Sequence, residues 1–325
     1  MKERFDIPVA LIIFRRTNTL ERIVERIREV KPKKFYILSD GGRSENEQKE
    51  VQYCREYLHS LIDWDCEIID HFAEKNIGVY ENIAGGAKWI LEREKWCIFL
   101  EDDNLPEVSF FTFCEEMLKK YECTERVFWI CGTNYLEKYS TSDGSSYVFS
   151  QHCMPCGWAT WAKKFTKYYD GELRLLDDSS AINKMRSTYK SKALFEQQLD
   201  AAKLEKHNIV TKGRFVSWDF QMAFSIRAYD LLGIVPIYNQ IENIGVDNYS
   251  THNGSSFKNP MTERFCAIKS YKLTVPIKHP EAIQIDERYE RLVDKIVLHP
   301  LKQRIRKKIA RFIKKLLGKS IYEKL

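Results

Sequence analysis

The residues best suited to chemistry are Glu101, Asp102 and Asp103, three adjacent carboxylates that end the apolar run of "CIFLEDDN". A short apolar run cut off by charge reads as a buried strand of a parallel sheet, and ligands of such sheets gather at the carboxyl ends of strands. Neighbouring carboxylates repel one another, so keeping all of them ionised at a partly dry strand end calls for a compensating cation. A hard divalent ion, Mn2+ or Mg2+, sharing its charge with a diphosphate would supply it. A solvated acidic loop is the competing reading. Asp40 ends another apolar run in "FYILSDGG", and Asp219 in "SWDF" opens a helical pattern, where a cap is as natural a role as a base. Cys153 and Cys156 have CxxC spacing, but no second pair or suitably spaced histidines follow, which argues against zinc.

These side chains need a scaffold, and the chain can build one. With 325 residues, 44% hydrophobic and 13% aromatic, it reads as one large folded domain or one domain with an appendage. The start "MKERFDIP" is unlike a signal peptide, and no stretch approaches the roughly 18 apolar residues of a membrane span. Nine scattered cysteines fit reduced thiols, and a cytosolic location is expected.

Pro8 to Phe14 is predicted as the first buried strand, followed by Arg15, Arg16 and a helix with Thr17, Asn18 or Thr19 as its cap. Lys34 to Leu38 is a second strand, Glu47 to Leu61 a helix, and Cys66 to Ile69 a third strand. A helix that buries Ile83, Ala87, Ile90 and Leu91 leads into the fourth, which delivers the acids. This alternation is the pattern of a parallel sheet with crossover helices, and it sets Asp40 and the acidic triplet at one sheet edge. A crevice there suits a nucleotide on one side and a metal-bound diphosphate on the other. The absence of GxGxxG and GxxxxGK[ST] argues against a dinucleotide dehydrogenase or a P-loop NTPase. Further on, Trp158, Trp161, Phe165, Tyr168 and Tyr169 serve either as a sugar-stacking platform or as packing against the sheet. Asn243 to Gly254 is a polar loop that could fold back over the site.

The segments "PVALIIFRR", "SDGG", "EKNIGV", "FLEDDNLPEVSFF", "CGWATW" and "SWDFQMAF...NIGVDNYSTH" resemble, in that order, bacterial GT-A glycosyltransferases related to the N-acetylglucosaminyltransferase I family. The resemblance spans about residues 5 to 256. It implies an α/β nucleotide-diphospho-sugar transferase fold with a mostly parallel central sheet flanked by helices, and a metal-dependent enzyme that inverts the anomeric centre. By position, Asp103 would contact the metal, Asp102 would face the ribose or sugar, and Glu101 the donor sugar. Asp40 would recognise the base, Arg16 and Asn76 would lie near the nucleotide, and Asp219 would be the general base. His252, in the loop that closes on the donor, would reach the metal or diphosphate. The implied donor is UDP-linked, and the acceptor a glycan or lipid-linked precursor in cell-surface polysaccharide synthesis. A sugar nucleotidyltransferase is the alternative, although "FRRTNTLER" lacks the glycine-rich triphosphate loop. A non-catalytic, membrane-associated sugar-binding protein of the same fold is the other.

Expected boundaries are residues 1–290 for the transferase domain, divided into a nucleotide-binding half, 1–104, and an acceptor half, 105–290, with a basic tail over 291–325. The net charge of +6 belongs to that tail: nine basic residues and no acid lie between Lys302 and Lys319, which leaves −3 for the rest. Ile305, Ile309, Phe312, Ile313, Leu316 and Leu317 form an apolar stripe on a helix otherwise almost wholly Lys and Arg. Such a helix suits an anionic membrane surface, on its cytoplasmic face, more than nucleic acid; a helix docked by its stripe with a solvated basic face is the third reading.

Overall fold

The computed structural model describes residues 5–247, 260–266, 268–318 and 322. Its first half follows the predicted alternation: β1 Val9–Ile13, α1 Leu20–Val30, β2 Lys34–Ser39, α2 Glu45–Leu61, β3 Glu67–Phe72, a π-helical turn Glu81–Gly85 running into α3 Gly86–Leu91, and β4 Trp96–Glu101. The second half adds β5 Asn104–Pro106, α4 Val108–Lys120, β6 Val127–Cys131, β7 Tyr147–Ser150, β8 Trp158–Trp161 and α5 Ala162–Tyr168. Then come a 3-10 turn Arg174–Asp177, α6 Ser179–Ser187, α7 Lys192–Lys212, α8 Asp219–Ala228, β9 Leu232–Pro236, β10 Ile241–Asn243, α9 Pro260–Cys266, α10 Glu287–Val297 and α11 Leu301–Leu316.

Eight strands form a mixed sheet in the order β3-β2-β1-β4-β8-β6-β9-β7. β1 to β4 pair in parallel, as do β6 and β9, whereas β8 and β7 run antiparallel to their neighbours. β1 lies between β2 and β4 and is buried along its whole length, which is why it needs an unbroken aliphatic run rather than an alternating one. Successive strand residues serve opposite faces. Leu11, Ile37 and Ile98 pack with α1, α2 and α4, through Ile23, Leu58 and Phe110. Ala10, Leu38 and Phe99 pack with α3, α5, α8 and α10, through Ile90, Phe165, Met222 and Tyr289. β5 and β10 form a separate antiparallel ribbon at the end of β4.

For the aromatic segment the structure selects packing. Trp158 stacks between Phe99 at 4.0 Å and Trp129 at 4.3 Å, because β8 is threaded between β4 and β6. Trp161 is buried and donates its indole N–H to the Leu118 carbonyl at 2.8 Å. Thr19 stands at the start of α1, but its side chain does not cap the helix; the hydroxyl donates to the Asp102 carbonyl and ties α1 to the acidic loop. No helix among the described residues is long and apolar enough to cross a membrane.

Candidate active site

Register brings the acids together. Ile12 of β1 lies beside Glu101 of β4, and Ile13 beside Ser39 of β2, so the residues after all three strands emerge at one sheet edge. There the Phe14 amide donates to Asp102 Oδ2 at 3.2 Å. The central cation is Arg16. Its Nη1 lies 2.6 Å from Asp102 Oδ1 and 3.6 Å from Asp103 Oδ2, while Nε and Nη2 grip the two oxygens of Asp247 at 3.1 and 3.2 Å. Burial alone would depress this guanidinium, but the charges of Asp102 and Asp103 outweigh it and hold it above its ordinary value.

One guanidinium does not balance the site. Burial, with Asp103, Asp102 and Asp219 nearby, raises the Glu101 carboxyl well above its usual range. Burial also pushes Asp102 up to about 6 despite the opposing pull of Arg16, and raises Asp103. Carboxylates whose proton affinity is raised by burial and by one another form a hard-oxygen donor set with room for more positive charge, which fits Mn2+ or Mg2+. Asp103 Oδ1 accepts from Asn104 Nδ2, and its Oδ2 faces Arg16 at 3.6 Å. Gly245 presses on it so closely that a Cβ there would sit 2.5 Å from the Asp103 Cβ.

Asp40 is buried and densely bonded. Oδ1 accepts from the Gly41 and Ile77 amides, both at 2.8 Å, and Oδ2 from Asn76 Nδ2 at 2.8 Å and the Gly78 amide at 2.9 Å. It therefore pins the "EKNIGV" loop to the end of β2, and Asn76 is its partner rather than a separate feature. Arg55 holds the same strand end from α2 through Ser39 Oγ at 2.9 Å and the Asp40 carbonyl at 3.1 Å.

Asp219 is the first residue of α8, half-exposed. Ser217, not Asp219, caps this helix: its Oγ accepts from the Phe220 amide at 3.2 Å and donates to Asp219 Oδ1 at 2.6 Å. The capping role is thus filled by a neighbour, and Asp219 is close enough to Glu101 to help raise its proton affinity. Cys153 and Cys156 line the same region as free thiols, pushed up by burial and then by nearby groups that include Asp219 for Cys153 and Asp103 for Cys156.

His252 lies outside the described residues, as does the rest of its loop beyond Asp247. Sequence reasoning singled out the loop but not Asp247, whose only signal was a carboxylate within a polar segment; its pairing with Arg16 spans 231 positions. It also missed a second cluster. His152, Glu290 and Asp294 place one donor atom each within 4.8 Å of one another and could hold a metal ion. Yet His152 Nε2 already meets Asp294 Oδ1 at 2.9 Å, and Glu290 accepts from Arg227 Nη2 at 3.0 Å and the Gln151 amide at 2.7 Å. His152 and Arg227, facing the carboxylates of Asp294 and Glu290, form a lock that fastens α10 to the domain.

No family model matches the chain, and a comparison with curated proteins finds no match. Among solved structures, 68 chains match. One is a mannosyltransferase from Pyrobaculum calidifontis in complex with GDP-Man and Mn2+, at 11% identity and TM-score 0.36, covering 70% of this chain and 70% of that one. Another is a UDP-glucose pyrophosphorylase complexed with UDP-glucose, at 10% identity and TM-score 0.36, covering 74% and 94%. A third is the 4-diphosphocytidyl-2C-methyl-D-erythritol synthase of Anaerococcus prevotii, at 10% identity and TM-score 0.33, covering 60% and 84%. At these values the functional reading rests on the site itself.

Proposed function

We propose that the chain is a metal-dependent, inverting GT-A glycosyltransferase, of the kind implied by the resemblance to the N-acetylglucosaminyltransferase I family. It moves a sugar from a nucleotide diphosphate, UDP for preference, to a glycan or lipid-linked acceptor in cell-surface polysaccharide synthesis. The observation that carries this reading is the convergence of Asp40 and the Glu101 to Asp103 triplet on one sheet edge, with Asp219 of α8 in electrostatic reach of Glu101. Single displacement needs the acceptor hydroxyl deprotonated on one face of the sugar and the diphosphate neutralised on the other. Asp219 takes the hydroxyl proton, a contribution typically on the order of a hundred- to ten-thousand-fold. Glu101, whose proton affinity is raised first by burial and then by its acidic neighbours, faces the donor sugar. Arg16 holds Asp102 and the Asp247 loop in place beside the diphosphate. A divalent ion held by Asp103, when bound, supplies Lewis-acid stabilisation of the leaving group. The chain works at the cytoplasmic face of a membrane, where α11 brings it to a lipid-linked acceptor.

A thermal-shift screen of nucleoside diphosphates and nucleotide sugars with Mn2+, Mg2+ or EDTA tests the reading, because a ligand that binds only the folded state raises its melting temperature. A metal-dependent shift with one nucleoside diphosphate is the expected result. The absence of any shift in folded protein would overturn it.

A further inference from the structure

The C-terminal helix is mounted the wrong way round for a docked element. An amphipathic helix on a domain surface ordinarily turns its apolar stripe inward. No residue of α11 is buried, and its three half-covered positions are Arg304, Ala310 and Lys314. Its contacts come from the charged side: Arg311 pairs with Asp200 of α7, and Lys307 Nζ lies 3.2 Å from His299 Nδ1. Beyond the helix, Tyr322 stacks on His207 of α7 at 4.2 Å. At about 3.6 residues per turn, Arg304, Lys307, Arg311 and Lys314 share one side, and Ile305, Ile309, Phe312 and Leu316 share the opposite one. The six residues of the stripe are accordingly between 39% and 70% exposed.

A contiguous outward apolar stripe requires an occupant, and the flanking charge selects it. Eight Lys and Arg side chains and no acid lie between Lys302 and Lys315, so two copies of this helix laid stripe to stripe would repel one another. Nucleic acid would satisfy the charge and leave the stripe wet. An anionic bilayer offers an apolar layer directly beneath a plane of negative headgroups, which matches a stripe bordered by cations. We propose that α11 is a preformed contact for an anionic phospholipid bilayer, held stripe outward by its own cationic side, so that no hydrophobic dock has to open before it binds. The inference deepens the membrane placement given under the proposed function, and its vesicle readout is separate from the nucleotide readout that tests glycosyl transfer. It also bears on geometry: α7, which carries α11, packs on α8, whose first residue is Asp219. The bilayer face is therefore linked to the candidate base through two packed helices.

The test is co-sedimentation of the full chain with phosphatidylcholine vesicles, with or without a minor fraction of phosphatidylglycerol, at low and high salt, beside an Ile309→Ser/Phe312→Ser double variant. Binding to the anionic vesicles, weakened by salt, with at least a ~tenfold loss in the double variant and an unchanged melting temperature, is the expected result. Three results would overturn the proposal. One is no binding to anionic vesicles at low salt, and another is equal binding by the double variant. The third is a lowered melting temperature in the double variant, or a dimer formed by the unsubstituted chain and not by the double variant, since either would show that protein covers the stripe.

Discussion

Replacing Arg16 by Met keeps bulk and removes charge from a cluster in which the guanidinium is nearly enclosed, with 7% of its side chain exposed. The variant leaves Asp102, Asp103 and Asp247 facing one another without the cation now 2.6 Å from Asp102 and 3.1 Å from Asp247. Breaking a buried pair by removing one partner costs about 3–5 kcal/mol, because the other charge is left desolvated. The loss should depend on pH in a defined direction. Asp102 already stands at about 6 with Arg16 pulling it down, so without Arg16 it moves higher. A carboxyl whose folded value is raised contributes its proton-linked stability fully below the unfolded value of about 4, and loses it as pH rises through the folded value. Urea unfolding in EDTA should therefore show a deficit that is small at pH 5 and largest at pH 8. Mn2+ should recover part of it, because a dication replaces the missing charge. A deficit below about 1 kcal/mol, or one equal at both pH values, would refute the view of Arg16 as the buried counter-ion of these acids.

Asp219→Asn should retain the metal-dependent thermal shift with donor nucleotide and lose transfer by at least ~100-fold; a rate within a few-fold of wild type would remove Asp219 from the base role. Gly245→Ala should abolish the metal-dependent shift while leaving the fold intact, because the new methyl would meet Asp103 at 2.5 Å; calorimetry of Mn2+ binding reads this directly. At Glu290, burial favours the neutral form, but His152 and Arg227 outweigh it and hold the carboxyl down to about 2. Its stabilisation is present above the unfolded value of about 4.5 and is lost as pH falls towards 2, amounting to about 3 kcal/mol. In Glu290→Gln that part of the acid slope should vanish from pH-dependent unfolding curves, and an unchanged slope would contradict the α10 lock.

Where an inference needed only local periodicity, the sequence sufficed. β1 to β4 and their crossover helices follow from aliphatic runs alternating with helical spacing, and strand ends follow from where charge interrupts an apolar run. Hence Asp40 and the acidic triplet could be placed at one edge without coordinates. The Trp158 and Trp161 alternatives were beyond such reasoning, because a ring buried between two strands and a ring exposed to a sugar look alike until strand order is known. The compensating cation was read as a metal from charge alone, and topology supplies Arg16 as well. Its partner Asp247 lies 231 positions along the chain, and pairing over such a separation depends on how β4, β5 and β10 come together. The tail shows the division most clearly. Its amphipathic stripe is written in the spacing of Ile305, Ile309, Phe312 and Leu316, but spacing has no outside or inside. Only the contacts of Arg311 and Lys307 with the domain decide that the stripe faces away from it.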